Sequence, residues 1–230
     1  MFCTGLFVMP VRHIPKNYRN VTGRFAATKA SGVAEFESTL ERDFLIIQEF
    51  DLNVLKFEVQ PLVIEWEDRV GKSRCYTPDV FVEYRKDIAP AKYMKPLLCE
   101  VKYRQDLREN WPELFSRLRA GFRFARRQGW RFKIFTENEI RTPYLSNARF
   151  LLPYMCSAPD EAHLELLLGR LSEMREADPE SLIKAIFRDR WAQAELLPTL
   201  WYLVANRQIG TDLGLPLTMR SRIWDKETLK

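Results

Sequence analysis

Histidine is nearly missing from this 230-residue chain: only His13 and His163 occur, which argues against a histidine-rich metal centre and against a Ser-His-Asp triad. Cysteine is almost as sparse. Cys3, Cys75, Cys99 and Cys156 show no CxxC pairing, so neither a structural zinc site nor a disulfide framework is expected, and the chain suits a reducing compartment. No run reaches the ~18 consecutive apolar residues of a membrane span. The apolar start, Phe2 to Met9, precedes its charges, the reverse of a secretory signal, so a cytoplasmic protein that does not meet the membrane is expected. Acidic residues are absent before Glu35. The first 34 positions hold five basic residues (Arg12, Lys16, Arg19, Arg24, Lys29), and the rest of the chain carries 31 of each sign, so the whole net charge of +5 resides in this N-terminal arm. Lys102 to Lys133 adds ten basic against three acidic residues, whereas Glu35 to Val101 has nine against fourteen. Two basic segments thus flank an acidic one, a pattern that fits a polyanionic partner or a solvated charged surface.

What is present is ample apolar material, 46% hydrophobic and 13% aromatic, enough for a folded core. The arm, residues 1–34, has Pro10, Pro15, Gly5, Gly23 and Gly32 and no sustained period, and reads as extended. Phe36, Leu40, Phe44 and Ile47 recur at helical spacing and predict a helix from Glu35 to Phe50. Val54 to Glu67 and Cys75 to Tyr84 are rich in β-branched and aromatic residues and predict a strand and its return; Leu97 to Lys102 predicts a third strand. Asn110-Trp-Pro-Glu113 is a helix start, the helix stops at Gly129, and Leu114, Leu118, Phe122 and Ala125 form its expected core side. Trp130 to Thr136 alternates as a fourth strand. The order α-β-β-β-α-β implies an α/β (α+β) domain with a mixed sheet. Ser157-Ala-Pro-Asp160 reads as a linker, so the α/β domain is expected over residues 35–156. A second domain over 160–230 would hold helices from Ala162, Asp178-Pro179 and Pro198 and a hairpin between Asn206 and Trp224, a winged-helix-like layout.

The residues with the most chemical content are Thr77-Pro-Asp79, at the head of the second strand, and Glu100-Val-Lys102, at the end of the third. Side chains at i and i+2 of a strand share a face, so Glu100 and Lys102 point together while Cys99 and Val101 turn to the apolar side. If the two strands pair, Asp79 lies beside Glu100. Two close carboxylates favour a hard divalent cation between them, and a neighbouring lysine can donate to a scissile phosphate or its attacking water. The alternative is a solvated strand face and a turn acid. Ser38-Thr-Leu-Glu41 reads either as a capping box or as a third acid on the first helix. Arg119, Arg123, Arg126 and Arg127 share one helix face and, with Lys16, Arg19, Arg24 and Lys29, are candidates for DNA phosphate contacts, against simple solvation.

Over roughly Gly23 to Tyr154 the sequence resembles the TnsA family, the endonuclease subunit of heteromeric transposases. The stretches that carry the resemblance are Glu35-Phe-Glu-Ser-Thr-Leu-Glu-Arg-Asp43, Val59-Gln-Pro61, Tyr76-Thr-Pro-Asp79, Cys99-Glu-Val-Lys102, Gly129-Trp-Arg-Phe132 and Thr136-Glu-Asn-Glu-Ile-Arg-Thr142. The resemblance implies a restriction-endonuclease-like PD-(D/E)xK domain followed by a winged-helix-like domain, and Mg²⁺-dependent cleavage at the 5′ ends of a transposon, with one or two ions and Mn²⁺ as a substitute. It implies as partners double-stranded DNA at the transposon ends, a TnsB-type transposase that cuts and joins the 3′ ends, and a TnsC-type AAA+ ATPase regulator, in the bacterial nucleoid. Carried over by position, Glu41 is the helix acid and a third metal ligand, Asp79 and Glu100 are metal ligands, and Lys102 is the catalytic lysine. Gln60 matches a Gln-Pro motif and is read as supporting the site or facing DNA, and Thr77 as positioning Asp79. Two rival readings are a stand-alone restriction or repair nuclease and a non-catalytic winged-helix DNA-binding adaptor.

Overall fold

The computed structural model describes residues 21–68 and 70–226; Lys16 and Arg19, and with them most of the expected arm, lie outside these. The last part of that arm is not simply extended. β1 (Gly23–Phe25) and β2 (Ala34–Phe36) pair antiparallel, with Arg24 opposite Glu35. α1 (Thr39–Phe50) starts later than the periodicity predicts, because Ser38 is its N-cap and Phe36 belongs to β2. Phe36 reaches the same core as Leu40, Phe44 and Leu45, so a strand residue mimics the preceding helical turn.

Each of the two long strands expected next is broken. β3 (Val54–Val59) ends at Gln60, whose φ of 50° lies in the left-handed region, and Pro61 follows with no N–H to donate. β4 (Ile64–Glu67) then pairs with β5 (Ser73–Tyr76) as a separate two-stranded ribbon. Thr77-Pro-Asp79, again with a proline that has no N–H to donate, breaks the return before β6 (Val80–Tyr84) rejoins β3. β7 (Leu97–Val101) is followed by α2 (Arg104–Glu109), α3 (Trp111–Arg127), β8 (Arg131–Phe135) and α4 (Glu137–Ile140). The short α2 has no sustained apolar period and was not expected. The sheet order is β3-β6-β7-β8, antiparallel except for the parallel β7/β8 pair. This is the mixed sheet of an α/β fold. All five residues of β7 are buried, as befits a strand covered on both faces. Leu97, Cys99 and Val101 meet α1 in one core, while Leu98 joins Ile64, Tyr76 and Ala125 in a second core on the α3 side.

The buried stripe of α3 is Leu114, Leu118, Gly121 and Ala125, not the expected stripe through Phe122, which is 51% exposed. Gly121 takes the inward place because the Tyr76 and Phe132 rings fill it: a Cβ there would stand 2.7 Å from Tyr76 and 2.9 Å from Phe132. Gly129, at φ 75°, ends the segment after α3 as expected.

One compact unit ends at Ile140 and a second begins at Arg141, earlier than the linker-like Ser157 to Asp160. α5 (Pro143–Met155) therefore falls in the second unit, and its side chains show why. Buried Asn147 donates to the carbonyls of Leu213 (2.9 Å) and Leu215 (2.7 Å) and accepts from the Leu217 N–H (3.0 Å). The unit continues with α6 (Glu161–Met174), β9 (Glu176–Ala177), α7 (Pro179–Ile186), α8 (Arg190–Ala205), β10 (Ile209–Thr211) and β11 (Ile223–Asp225), the strands ordered β10-β11-β9. Pro198 does not open the third of these helices, since Asp189 caps α8 and Pro198 lies inside it. The expected hairpin is present as β10 and β11, with β9 added to its far edge.

Candidate active site

Pairing of β6 with β7, Val80 opposite Cys99, sets Asp79 at the edge beside Glu100. The Asp79 N–H donates to the Cys99 carbonyl (3.1 Å), and Asp79 Oδ2 accepts from the Val101 N–H (2.7 Å). The break at Pro78 thus leaves Asp79 anchored to β7 by backbone and side chain together. Lys102 Nζ lies 3.1 Å from Asp79 Oδ2 and 3.3 Å from Glu100 Oε1. One ammonium bridges the two carboxylates that the pairing of β6 with β7 brings together.

These groups line a cleft of about 450 Å³ that also takes in Glu41, Gln60, Thr77 and Arg117. Glu100 is only 1% exposed. Its Oε2 accepts from the Tyr76 hydroxyl, and Arg117 Nη2 stands 3.6 Å from its Oε1. Burial first, and the Asp79 charge second, push the Glu100 carboxyl up to about 7 against the pull of Lys102, Tyr76 and Arg117. Glu41 is likewise pushed up to about 7, by burial and then by Asp79. The two readings of Glu41 turn out to be compatible. Ser38 Oγ accepts from the Glu41 N–H and donates to its Oε1, while Oε2 reaches past the cap residue to accept from the Glu37 N–H, so a variant of the capping box holds an acid that faces the cleft. Lys102 is pulled down by burial, but Asp79, Glu100 and Glu41 outweigh that and raise it; its ammonium stays charged at neutral pH.

Gln60 both ends β3 and enters the cleft, where its Nε2 donates to Glu37 Oε1 (3.1 Å) and its buried Oε1 has no hydrogen-bond partner among the described residues. Thr77 reaches the cleft wall but makes no bond to Asp79, which the Val101 N–H and Lys102 hold instead. Sequence reasoning did not single out Tyr76, Glu37 or Arg117. Tyr76 sits one residue before the Thr77-Pro-Asp79 run. Arg117, three residues after Leu114 and four before Gly121, would have been found from the correct helix stripe.

Arg119, Arg123, Arg126 and Arg127 line a different and larger groove, about 1000 Å³, between α3 and the β4–β5 ribbon. Its opposite wall carries Glu65, Glu67 and Asp68. Among the described residues none of the four arginines has an ion-pair partner. Arg24 and Lys29 are otherwise engaged: Arg24 pairs with Glu35 (3.0 Å), and Lys29 Nζ donates to the Asp51 carbonyl at the end of α1 (2.7 Å).

Gly121 ties this geometry to packing. Gly→Ala inside a helix ordinarily stabilises by about 1 kcal/mol, but here the methyl would strike the ring whose hydroxyl holds Glu100. Gly121→Ala is expected to destabilise the protein by about 1–3 kcal/mol, read as a lower urea midpoint. A neutral or higher midpoint would mean that Tyr76 has room to move.

Among the described residues no three His, Cys, Asp or Glu side chains gather closely enough to form a ready-made metal cage, and no helix is long and apolar enough to cross a membrane. Two family models match the chain in tandem, the TnsA-like endonuclease N-terminal model over residues 51–137 and the TnsA endonuclease C-terminal model over residues 139–213. None of the curated proteins matches it. The two models meet beside the division at Ile140, and the first contains Asp79, Glu100 and Lys102 on their mixed sheet; the chain belongs to the TnsA endonuclease family.

Proposed function

We propose that this chain is the Mg²⁺-dependent endonuclease subunit of a Tn7-type heteromeric transposase and hydrolyses one strand at each transposon 5′ end. The observation that carries the reading is the convergence of Asp79, Glu100 and Lys102 at one sheet edge. The donor set fits a hard divalent cation. Asp79 and Glu100 already share one cation, the Lys102 ammonium, and Mg²⁺ needs only one or two carboxylates besides water and phosphate oxygens. Asp79 and Glu100 would hold one or two ions, with Glu41 as a further acid and Mn²⁺ as a substitute; when bound, the metal polarises the phosphate and lowers the pKa of a coordinated water. Lys102, kept charged by its acidic neighbours, stabilises the charge that develops on the phosphate and does not act as a base. Without metal, burial and then the Asp79 charge push Glu41 up to about 7. Tyr76 fixes the orientation of Glu100 through its hydroxyl. The products are a 5′-phosphate and a 3′-hydroxyl.

Arg119, Arg123, Arg126 and Arg127 contact the DNA backbone along their groove, which gives affinity without sequence choice. End recognition then falls to a TnsB-type transposase, and control to a TnsC-type AAA+ regulator that docks on the winged-helix-like second unit. Arg123→Ala should weaken DNA binding about equally across sequences and lower the salt slope by roughly 1; an unchanged slope would remove Arg123 from the DNA path. The test of the function is strand-resolved mapping of cleavage at transposon ends with Mg²⁺, with and without the partner transposase. Cuts confined to the 5′ ends and dependent on the partner are expected. Cleavage of generic DNA by the isolated chain would instead indicate a stand-alone nuclease, and absence of cleavage in the complete assembly an adaptor.

A further inference from the structure

Around the carboxylate cleft the charges are unevenly matched. Among the described residues lining it, Glu37, Glu41, Asp79 and Glu100 face two cations, Lys102 and Arg117. In the metal-free cleft an entering DNA phosphate gains from a further donor that the carboxylates do not already engage. Lys102 is committed to Asp79, Glu100 and the Val101 carbonyl. Arg117 is not. Its Nη2 stands 3.6 Å from Glu100 Oε1, a charge contact too long for a hydrogen bond, and its Nε is buried with no hydrogen-bond partner among the described residues. Leaving a charged N–H dry and unpaired is costly, and an entering anion relieves that cost.

The position of Arg117 on α3 adds to this. At ~100° per residue it flanks the buried Leu114–Leu118–Gly121 stripe on the side of Tyr76 and Glu100. Arg119 and Arg126 lie on the other flank and Arg123 and Arg127 on the outer face, and all four line the separate groove. Its side chain is 38% exposed, so the guanidinium is held at its stem and open at one edge. A guanidinium fork is suited to the non-bridging oxygens of a phosphodiester.

We propose that Arg117 is a further catalytic residue: its guanidinium binds a non-bridging oxygen of the scissile phosphate, within the cleft of Asp79, Glu100 and Lys102 and apart from the arginine groove that holds the flanking backbone. This rests on the endonuclease reading of the cleft and adds to it the residue that grips the reacting phosphate.

Two measurements test it. In the complete transposase assembly, Arg117→Ala should slow 5′-strand cleavage by about 100-fold. A methylphosphonate of the sensitive configuration at the scissile position removes the charged oxygen and should slow the wild type comparably. If Arg117 acts on that oxygen, the two changes together cost little more than either alone; if the losses multiply, the proposal is wrong. Arg117→Lys keeps a charge beside Glu100 and carries the same test should the alanine variant fold poorly. The second measurement needs no catalysis. In the full chain with chelator present, the Arg117 Nε–Hε NMR signal, assigned by its loss in Arg117→Lys, should shift and saturate on titration with a short DNA duplex. A signal that stays put while that of Arg123 moves overturns the proposal. A signal that moves in a protein whose complete assembly never cuts DNA keeps the phosphate contact and defeats the nuclease reading instead.

Discussion

Replacing Lys102 with alanine is expected to lower strand cleavage by about 10²–10³-fold or more while leaving DNA and partner binding intact. The reason lies in how many acids the ammonium serves. It lies within 3.3 Å of both Asp79 and Glu100 and is raised, despite burial, by those two and by Glu41. A lysine so placed is an acid that does not let go of its proton in the working range. The cleavage rate should therefore show no loss assignable to Lys102 as the pH falls from 9 to 7, as it would if the free amine were needed. Methionine keeps most of the side-chain volume without the charge, so Lys102→Met separates packing from electrostatics. Gel-resolved cleavage of an end-labelled transposon end, with binding followed in parallel, is the measurement. A Lys102→Met assembly that cuts at the wild-type rate would reduce the Asp79–Glu100–Lys102 cluster to a structural ion pair.

The residues of this cluster carry a sequence signal that those around it lack. Glu100 and Lys102 were legible as neighbours because strand alternation is a rule of the backbone, Cys99 and Val101 taking the α1 side, and Asp79 joined them through the pairing of the two strands. The tandem breaks at Gln60-Pro61 and Pro78-Asp79 were not legible as breaks, since the residues on either side are equally apolar and β-prone. Yet those breaks peel the β4–β5 ribbon off the sheet and place Gln60 and Asp79 at the cleft edge. Phe122 misled for a related reason. Hydrophobic periodicity assumes that the largest apolar side chain points inward, and it misses a glycine that faces the core because two rings from other elements occupy its place. Arg117 and Tyr76 were overlooked as a consequence, because both are defined by their relation to Gly121. α5 falls in the second unit, where it packs on α8 and its buried Asn147 binds three backbone groups far along the sequence. No local pattern reports that kind of contact.

The same buried acids that make the cleft useful should make the metal-free protein less stable as the pH rises. Glu41 and Glu100 both stand at about 7 in the fold against an ordinary value of 4.5, and burial is the first cause for each. Between those two values the native state holds more protons than the unfolded chain, so the stabilising contribution is complete below about 4.5 and is lost as the pH climbs through 7. One pKa unit corresponds to about 1.4 kcal/mol, so each carboxyl accounts for on the order of 3 kcal/mol, less when both act through the shared neighbour Asp79. Lys102 does not offset this trend. Its raised pKa gives a contribution that is present throughout this window and fades only above 10.5. The carboxyls held low in this protein, such as Asp178 and Glu180, contribute in the opposite sense, but only at more acid pH. In chelator, thermal unfolding should therefore occur at a lower temperature at pH 8 than at pH 5.5. Glu100→Gln should raise the midpoint at pH 8 and flatten the slope, because the amide carries no charge to desolvate. Mg²⁺ should stabilise the wild type more at pH 8 than at pH 5.5, since a cation takes up carboxylates that protons have already left, and it should stabilise Glu100→Gln little at either pH. A chelated protein whose midpoint is flat from pH 5.5 to 8, or a Glu100→Gln variant that keeps the wild-type slope, would show that these two carboxyls are not the buried, proton-holding groups from which a metal site could be assembled.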